Sequence, residues 1–285
     1  MKSVVVTGAS TGIGHACVKV LLGQGIRVFG SVRKQADADR LKSEFGANFT
    51  PLIFDVTNQA AVRQGASLVE KALGGDTLFG LVNNAGIAVA GPLLYLGLDE
   101  MRQQMEVNLI SQLSVTQAFA PLLGADRSRK GEPGRIVMMS SIGGKNAFPF
   151  MGPYSASKFA LEGLSESLRR ELMIFGIDVI LIRPGAVATP IWDKADEIDP
   201  AQFANTPYAT SLEKIKKMML AQGRSGYPPE RIGRAVLKAL TARRPKTAYT
   251  ENPAKAQGIA VRLLPKRVLD AAVASQLGLK RKGRQ

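Results

Sequence analysis

"KSVVVTGASTGIG", Lys2–Gly14, decides the fold. A short β-branched run ended by glycine reads as a buried strand. From Gly12 to Gly23 the spacing turns helical. Three glycines between strand and helix, at 8, 12 and 14, let the backbone turn tightly and come close to a phosphate. The free N–H groups of the helix start then face that anion. Outward from this unit, further apolar runs follow at Ile26–Val32, Phe49–Val56, Leu78–Gly86, Gly134–Ser141 and Ile177–Gly185, and a short one near Lys246–Thr250. Stretches of helical length separate the first six. Alternation of this kind predicts an α/β, Rossmann-type, doubly wound parallel sheet.

No internal repeat or long linker interrupts the chain, so residues 1–285 read as one nucleotide-binding domain. Beyond Thr189 the pattern breaks up, with prolines at 190, 200, 207, 228 and 229. A helical lid insertion after the sixth strand, about 190–228, is expected, followed by a C-terminal extension over about 251–285. The single cysteine, Cys17, excludes an intramolecular disulfide, and with one histidine, His15, a metal site is not expected. No signal-like leader and no apolar run of about 20 residues is present, and a cytoplasmic protein without a transmembrane segment is expected. Net charge is +15 with a sequence pI near 10.1. The excess is dispersed except in the tail "GLKRKGRQ", Gly278–Gln285, so nucleic acid is not the expected partner.

Two more stretches carry chemistry: "NNAG" (Asn83–Gly86) after the fourth strand, and "YSASK" (Tyr154–Lys158). The latter opens a helix expected from Ala156, with Glu162, Arg169, Arg170 and Glu171 on a polar stripe. Residues four apart share a helix face, so Tyr154 and Lys158 point the same way. Together with the glycine loop, in this order and on these elements, the chain over about residues 2–189 resembles the short-chain dehydrogenase/reductase family, with a tail similar to the branch of 17β-hydroxysteroid and retinol dehydrogenases. The resemblance implies a catalytic tetrad of Asn108, Ser141, Tyr154 and Lys158, Ser141 lying thirteen residues before the tyrosine. Asn108 would bend its helix and hold a water. Reducing a ketone needs hydride on carbon and a proton on oxygen. A free tyrosine, with a pKa of about 10, is a poor base. A nearby ammonium is expected to lower that value, making Tyr154 the acid/base, while Ser141 orients the substrate oxygen.

The resemblance also implies a nicotinamide site. It would comprise Gly8, Ser10, Thr11, Gly12, Ile13 and Gly14 of the loop, Asp55 and Val56 at the adenine, and Asn83, Ala85 and Gly86. Tyr154, Lys158, Pro184, Gly185, Val187 and Thr189 would complete it at the nicotinamide end. A carboxylate at the end of the second strand selects NAD. Here that position is Val32, flanked by Ser31, Arg33 and Lys34, which suits a 2′-phosphate. NADP(H) is therefore expected in preference to NAD(H). His15, beside Gly14, could add a phosphate donor or simply lie on the helix surface. Phe148, Phe150, Met151, Ile191 and Trp192 would give the site an apolar mouth for a lipophilic ketone or alcohol, or else pack the lid onto the core. A homodimer through the helices Asp99–Leu123 and Ser155–Phe175 is expected. Two other readings stay open: a non-catalytic NADP-sensing regulator, and a membrane-surface protein using the basic tail.

Overall fold

β1 (Ser3–Val6) is four buried residues whose side chains alternate. Val4 and Val6 join one apolar cluster and Val5 the other. A strand that feeds two cores must be covered on both faces. The computed structural model describes residues 1–190, 200–254 and 263–279. Within them β1 lies inside a seven-stranded, wholly parallel sheet of order β3-β2-β1-β4-β5-β6-β7. The other strands are β2 (Arg27–Val32), β3 (Phe49–Ile53), β4 (Gly80–Asn83), β5 (Arg135–Met139), β6 (Asp178–Pro184) and β7 (Ala248–Glu251).

Helices α1 (Gly12–Leu22), α2 (Gln35–Phe45) and α8 (Pro229–Thr241) cover one face. The other is covered by α3 (Gln59–Leu73), α5 (Ser111–Phe119) and α6 (Gly152–Glu171), with α4 (Leu98–Met105) packed against α6. A π-helical turn, Glu106–Ile110, joins α4 to α5 into one long helix. The chain moves outward from β1 in both directions, to β2 and to β4, so the crevice at their carboxyl ends is a topological switch point.

Three expected boundaries shift. β3 stops at Ile53 rather than Val56, because the Asp55 carboxylate accepts hydrogen bonds from Thr57 N (2.9 Å) and Oγ1 (2.8 Å) and turns the chain. Helix α6 starts at Gly152, not Ala156, with Pro153 in its first turn, where a missing N–H costs nothing. It ends at Glu171, and a 3-10 turn continues to Phe175. Past Thr189, α7 (Ala209–Arg224) and α9 (Lys266–Leu277) pack together around a third, smaller cluster of Phe150, Phe203, Leu212, Ile215 and Leu277. Trp192 and Ile191 lie outside the described residues, as does the basic tail from Lys280. No helix of the described residues is long and apolar enough to cross a membrane.

Candidate active site

The glycine loop is fastened from below. Thr7 Oγ1 accepts from Asn84 N (2.9 Å) and Ala85 N (3.0 Å), while Asn84 Nδ2 donates to Thr7 O (2.9 Å) and Gly8 O (3.2 Å). β1 and β4 are thereby locked at the switch point. Gly8 adopts φ +66°, and a Cβ on Gly14 would stand 2.0 Å from Gly8 O. Helix and strand therefore meet at a distance only glycine permits. Thr11, the first flanking residue of α1, makes no side-chain cap, and the first turn holds no acidic residue. The helix start is thus left to an external anion, with Ser10 and Ile13 half-buried beside it. The Thr189 side chain lies 3.3 Å from the point where a Gly12 Cβ would stand, so the segment after β6 meets the loop. A pyrophosphate-bearing cofactor fits this cradle.

Several expected roles are redistributed. The Asn83 amide points into the core, donating to Thr116 Oγ1 (2.9 Å), so its side chain is not available to a cofactor. Asn84, unremarked in the sequence, holds the loop instead. Ser31 is buried and its Oγ accepts from Gly8 N (3.0 Å), which ties β2 to the glycine loop. Arg33 and Lys34 are exposed at the end of β2. His15 faces away from the loop, 2.8 Å from Glu44 and against the Phe45 ring, tying α1 to α2. Pro184 ends β6, Gly185 N donates to Glu251 O (2.7 Å), and Val187 is buried. Gly86 lies against Asn108, and Val56 is buried beside Asp55.

The tetrad residues converge. Ser141 Oγ accepts from Gly143 N (3.0 Å) at the start of the 3-10 turn Ile142–Gly144, and a Cβ on Gly143 would stand 3.3 Å from that oxygen and 3.2 Å from the Tyr154 ring. Its neighbour Ser140 points the other way, to Glu162 Oε1 (2.7 Å). Lys158 Nζ donates to Met139 O (2.7 Å) and stands 5.8 Å from the Tyr154 ring centre. Burial pushes the Lys158 ammonium down to about 8, against the opposing pull of Glu162. Tyr154 departs from expectation: burial raises its phenol above the ordinary value, and the Ser141 hydrogen bond only partly offsets this. The ammonium is turned to the Met139 carbonyl, and desolvation of the phenolate wins. Asn108 sits in the π turn, and its side chain is committed to Ile87 N and O (both 2.9 Å) and to Ser157 Oγ (3.3 Å). A water held at this point is therefore not held by its amide alone. Glu162, expected on the polar stripe of α6, is 5% exposed. The signal that places it is its step of four from Lys158.

Of the described residues expected at the mouth, Phe148 is exposed. Phe150 and Met151 are buried, the former packing edge-on to Tyr208 at 5.7 Å. For Phe150 the lid-packing alternative is the geometry observed.

The family model for short chain dehydrogenases matches residues 2–199. The NADPH-dependent 3-dehydrocapnine reductase of Ornithobacterium rhinotracheale is 38% identical over 95% of both chains. Human retinol dehydrogenase 5 is 32% identical over 95% of this chain and 87% of its own. A short-chain dehydrogenase/reductase from Burkholderia phymatum, solved in complex with NAD, superposes with a TM-score of 0.78 at 24% identity over 94% of each chain, a likeness of fold. Sequence match, sheet order and switch-point loop agree, and the chain belongs to the short-chain dehydrogenase family: it is an oxidoreductase of alcohol and carbonyl groups that uses a nicotinamide cofactor.

Proposed function

We propose that the chain reduces a lipophilic ketone or aldehyde with NADPH, Tyr154 giving the proton. The observation that carries this is the meeting of Tyr154 and Ser141 over Gly143 at the carboxyl end of β5, with Lys158 buried on the helix of Tyr154. Bound NADPH supplies the hydride. The α1 start and the Gly8–Gly14 loop would hold the pyrophosphate, and Lys158 would bond to the nicotinamide ribose. Ser141 donates to the carbonyl oxygen and polarises it. As charge builds on that oxygen, Tyr154 hands over its proton. A phenol raised by burial is fully protonated at neutral pH, which suits the reductive direction. Alcohol oxidation needs the phenolate and should accelerate as pH rises.

Cofactor choice rests on Arg33 and Lys34, exposed where an NAD enzyme would place a carboxylate. The NADPH dependence of the O. rhinotracheale relative agrees. Names of relatives that act on 3-dehydrocapnine and on retinol support a substrate with a long apolar part. The test is Tyr154→Phe, assayed with NADPH against 3-dehydrocapnine, retinaldehyde and a small ketone. Turnover should fall by about 10³-fold, within the range of a lost general acid, while NADPH fluorescence titrates as in the parent. Activity within threefold of the parent would refute the role.

Pairing of two copies through the long helix and α6 is part of the same reading. Ile110 and Phe159 stand 45% and 44% exposed on those helices, apolar groups that a second copy would cover. Sedimentation velocity at micromolar concentration should give a dimer; a strict monomer would refute the interface.

A further inference from the structure

One carboxylate behind the catalytic pair collects more partners than any other on the sheet side of α6. Glu162 is buried, one turn beyond Lys158. It accepts from Ser140 Oγ (2.7 Å), from Arg183 Nε (2.9 and 3.1 Å) and NH2 (2.6 Å), and from Lys145 Nζ (3.0 Å). These donors come from the end of β5, from β6 and from the segment after the 3-10 turn. Burial would raise the carboxyl, but the bonds from Arg183, Ser140 and Lys145 outweigh it and hold Glu162 ionised. Ser140 is further pinned by its N–H to Ile182 O (2.8 Å). A Cβ on Gly144 would lie 2.9 Å from both Ser140 Oγ and Lys158 O, so turn, serine pair and helix are in tight contact.

We propose that Glu162 is a positioning residue for the reaction: its carboxylate is the counter-charge against which Lys158 is held, and through Ser140 it fixes the direction of Ser141. It touches neither substrate nor cofactor. Lys145 and Arg183 both bond its carboxylate, and Lys158 stands one turn away on the same helix; without Glu162 the two bound cations would act on Lys158 without that counter-charge. Like charges at such range disfavour each other's ionised form. The ammonium of Lys158 is already disfavoured by burial, so it would be the first to give way. Arg183 stays charged at any working pH, and Lys145 is half in solvent.

This rests on the reading of Tyr154 and Lys158 as the acid–base unit, and the experiment separates the two. Ketone reduction under saturating NADPH is followed as kcat/KM against pH, with Tm recorded for each variant. If charged Lys158 is required, activity falls on the alkaline side as it loses its proton. Glu162→Gln should move that alkaline limb to lower pH by roughly one unit. Lys145→Gln, at a half-exposed position, removes a competing cation and should move it upward by about 0.3 unit. A purely structural role would lower the rate without opposite movements of the limb. A folded Glu162→Gln whose limb coincides with the parent overturns the proposal. Should Glu162→Gln fail to fold, Lys145→Gln decides alone: an upward limb supports, and an unmoved or downward limb overturns. Full turnover in Tyr154→Phe would instead sink the acid–base reading itself.

Discussion

The crevice has two walls built on different principles. On the nucleotide side, the Thr7 and Asn84 side chains join strand ends by hydrogen bonds to backbone groups, and Gly14 adds one interatomic distance that tolerates no side chain. On the side expected to meet substrate, Phe150 meets Tyr208, which meets Tyr95 at 6.0 Å, and Leu212, Ile215 and Leu277 join Phe150 in one apolar cluster. Backbone geometry admits few residue types at each position, whereas an apolar contact accepts many of similar volume. Constraint of the first kind suits a cofactor shared by many relatives, and latitude of the second kind suits a contact that varies among them. Phe150 carries a cost for its place: its φ of 63° lies in the left-handed region that favours glycine.

The difference can be broken most severely at Gly14. Gly14→Ala brings a methyl against Gly8 O, and the strand end must move. We expect NADPH affinity to fall at least about 100-fold with a loss of roughly 1–3 kcal/mol in stability, read by fluorescence titration and urea unfolding. Unchanged NADPH binding would mean that the cradle is not where the pyrophosphate sits. Arg33→Ala should act on one cofactor alone. A charge-assisted bond is worth about 1.5–3 kcal/mol, so KM for NADPH rises at least about 10-fold while that for NADH stays put; equal losses for both would remove Arg33 from the 2′-phosphate. The mildest change is Tyr208→Ala on the opposite wall. KM for a long apolar ketone should rise about 3-fold with no change for NADPH or for a small ketone. A matching loss on NADPH would show that the two walls are not independent.

Legibility in the sequence divides along the same line. Strands β1 to β6 were readable because buried β-branched runs alternate with helical spacings, and the tyrosine–lysine step of four survives any small error in helix start. Asn84 was passed over for Asn83: two adjacent asparagines offer no clue to which faces the loop until strand alternation is fixed by the sheet. In the sequence Glu162 looks like surface because charge suggests solvent; three donors from distant segments make its burial sustainable. Phe150 was ambiguous since its partner Tyr208 is 58 residues away in a segment without strand pattern. Nothing in the sequence announced that Ser31 was already engaged by the glycine loop.

The long helix beside the site carries three buried amides in steps of four. Gln104 accepts from Val89 N (2.7 Å) and donates to Ile87 O (3.1 Å), Asn108 takes both polar groups of Ile87, and Gln112 donates to Ala85 O (2.7 Å). Steps of four drift by about 40° on a straight α-helix, and the wider turn at Glu106–Ile110 offsets that drift. The segment after β4 is thus stitched to a helix as a strand is stitched to its neighbour. Anyone wishing to transplant this loop into another scaffold, or to exchange it for a relative's, would have to carry the helix with it: the unit of inheritance here is the seam, and a graft cut along the chain alone would come unsewn.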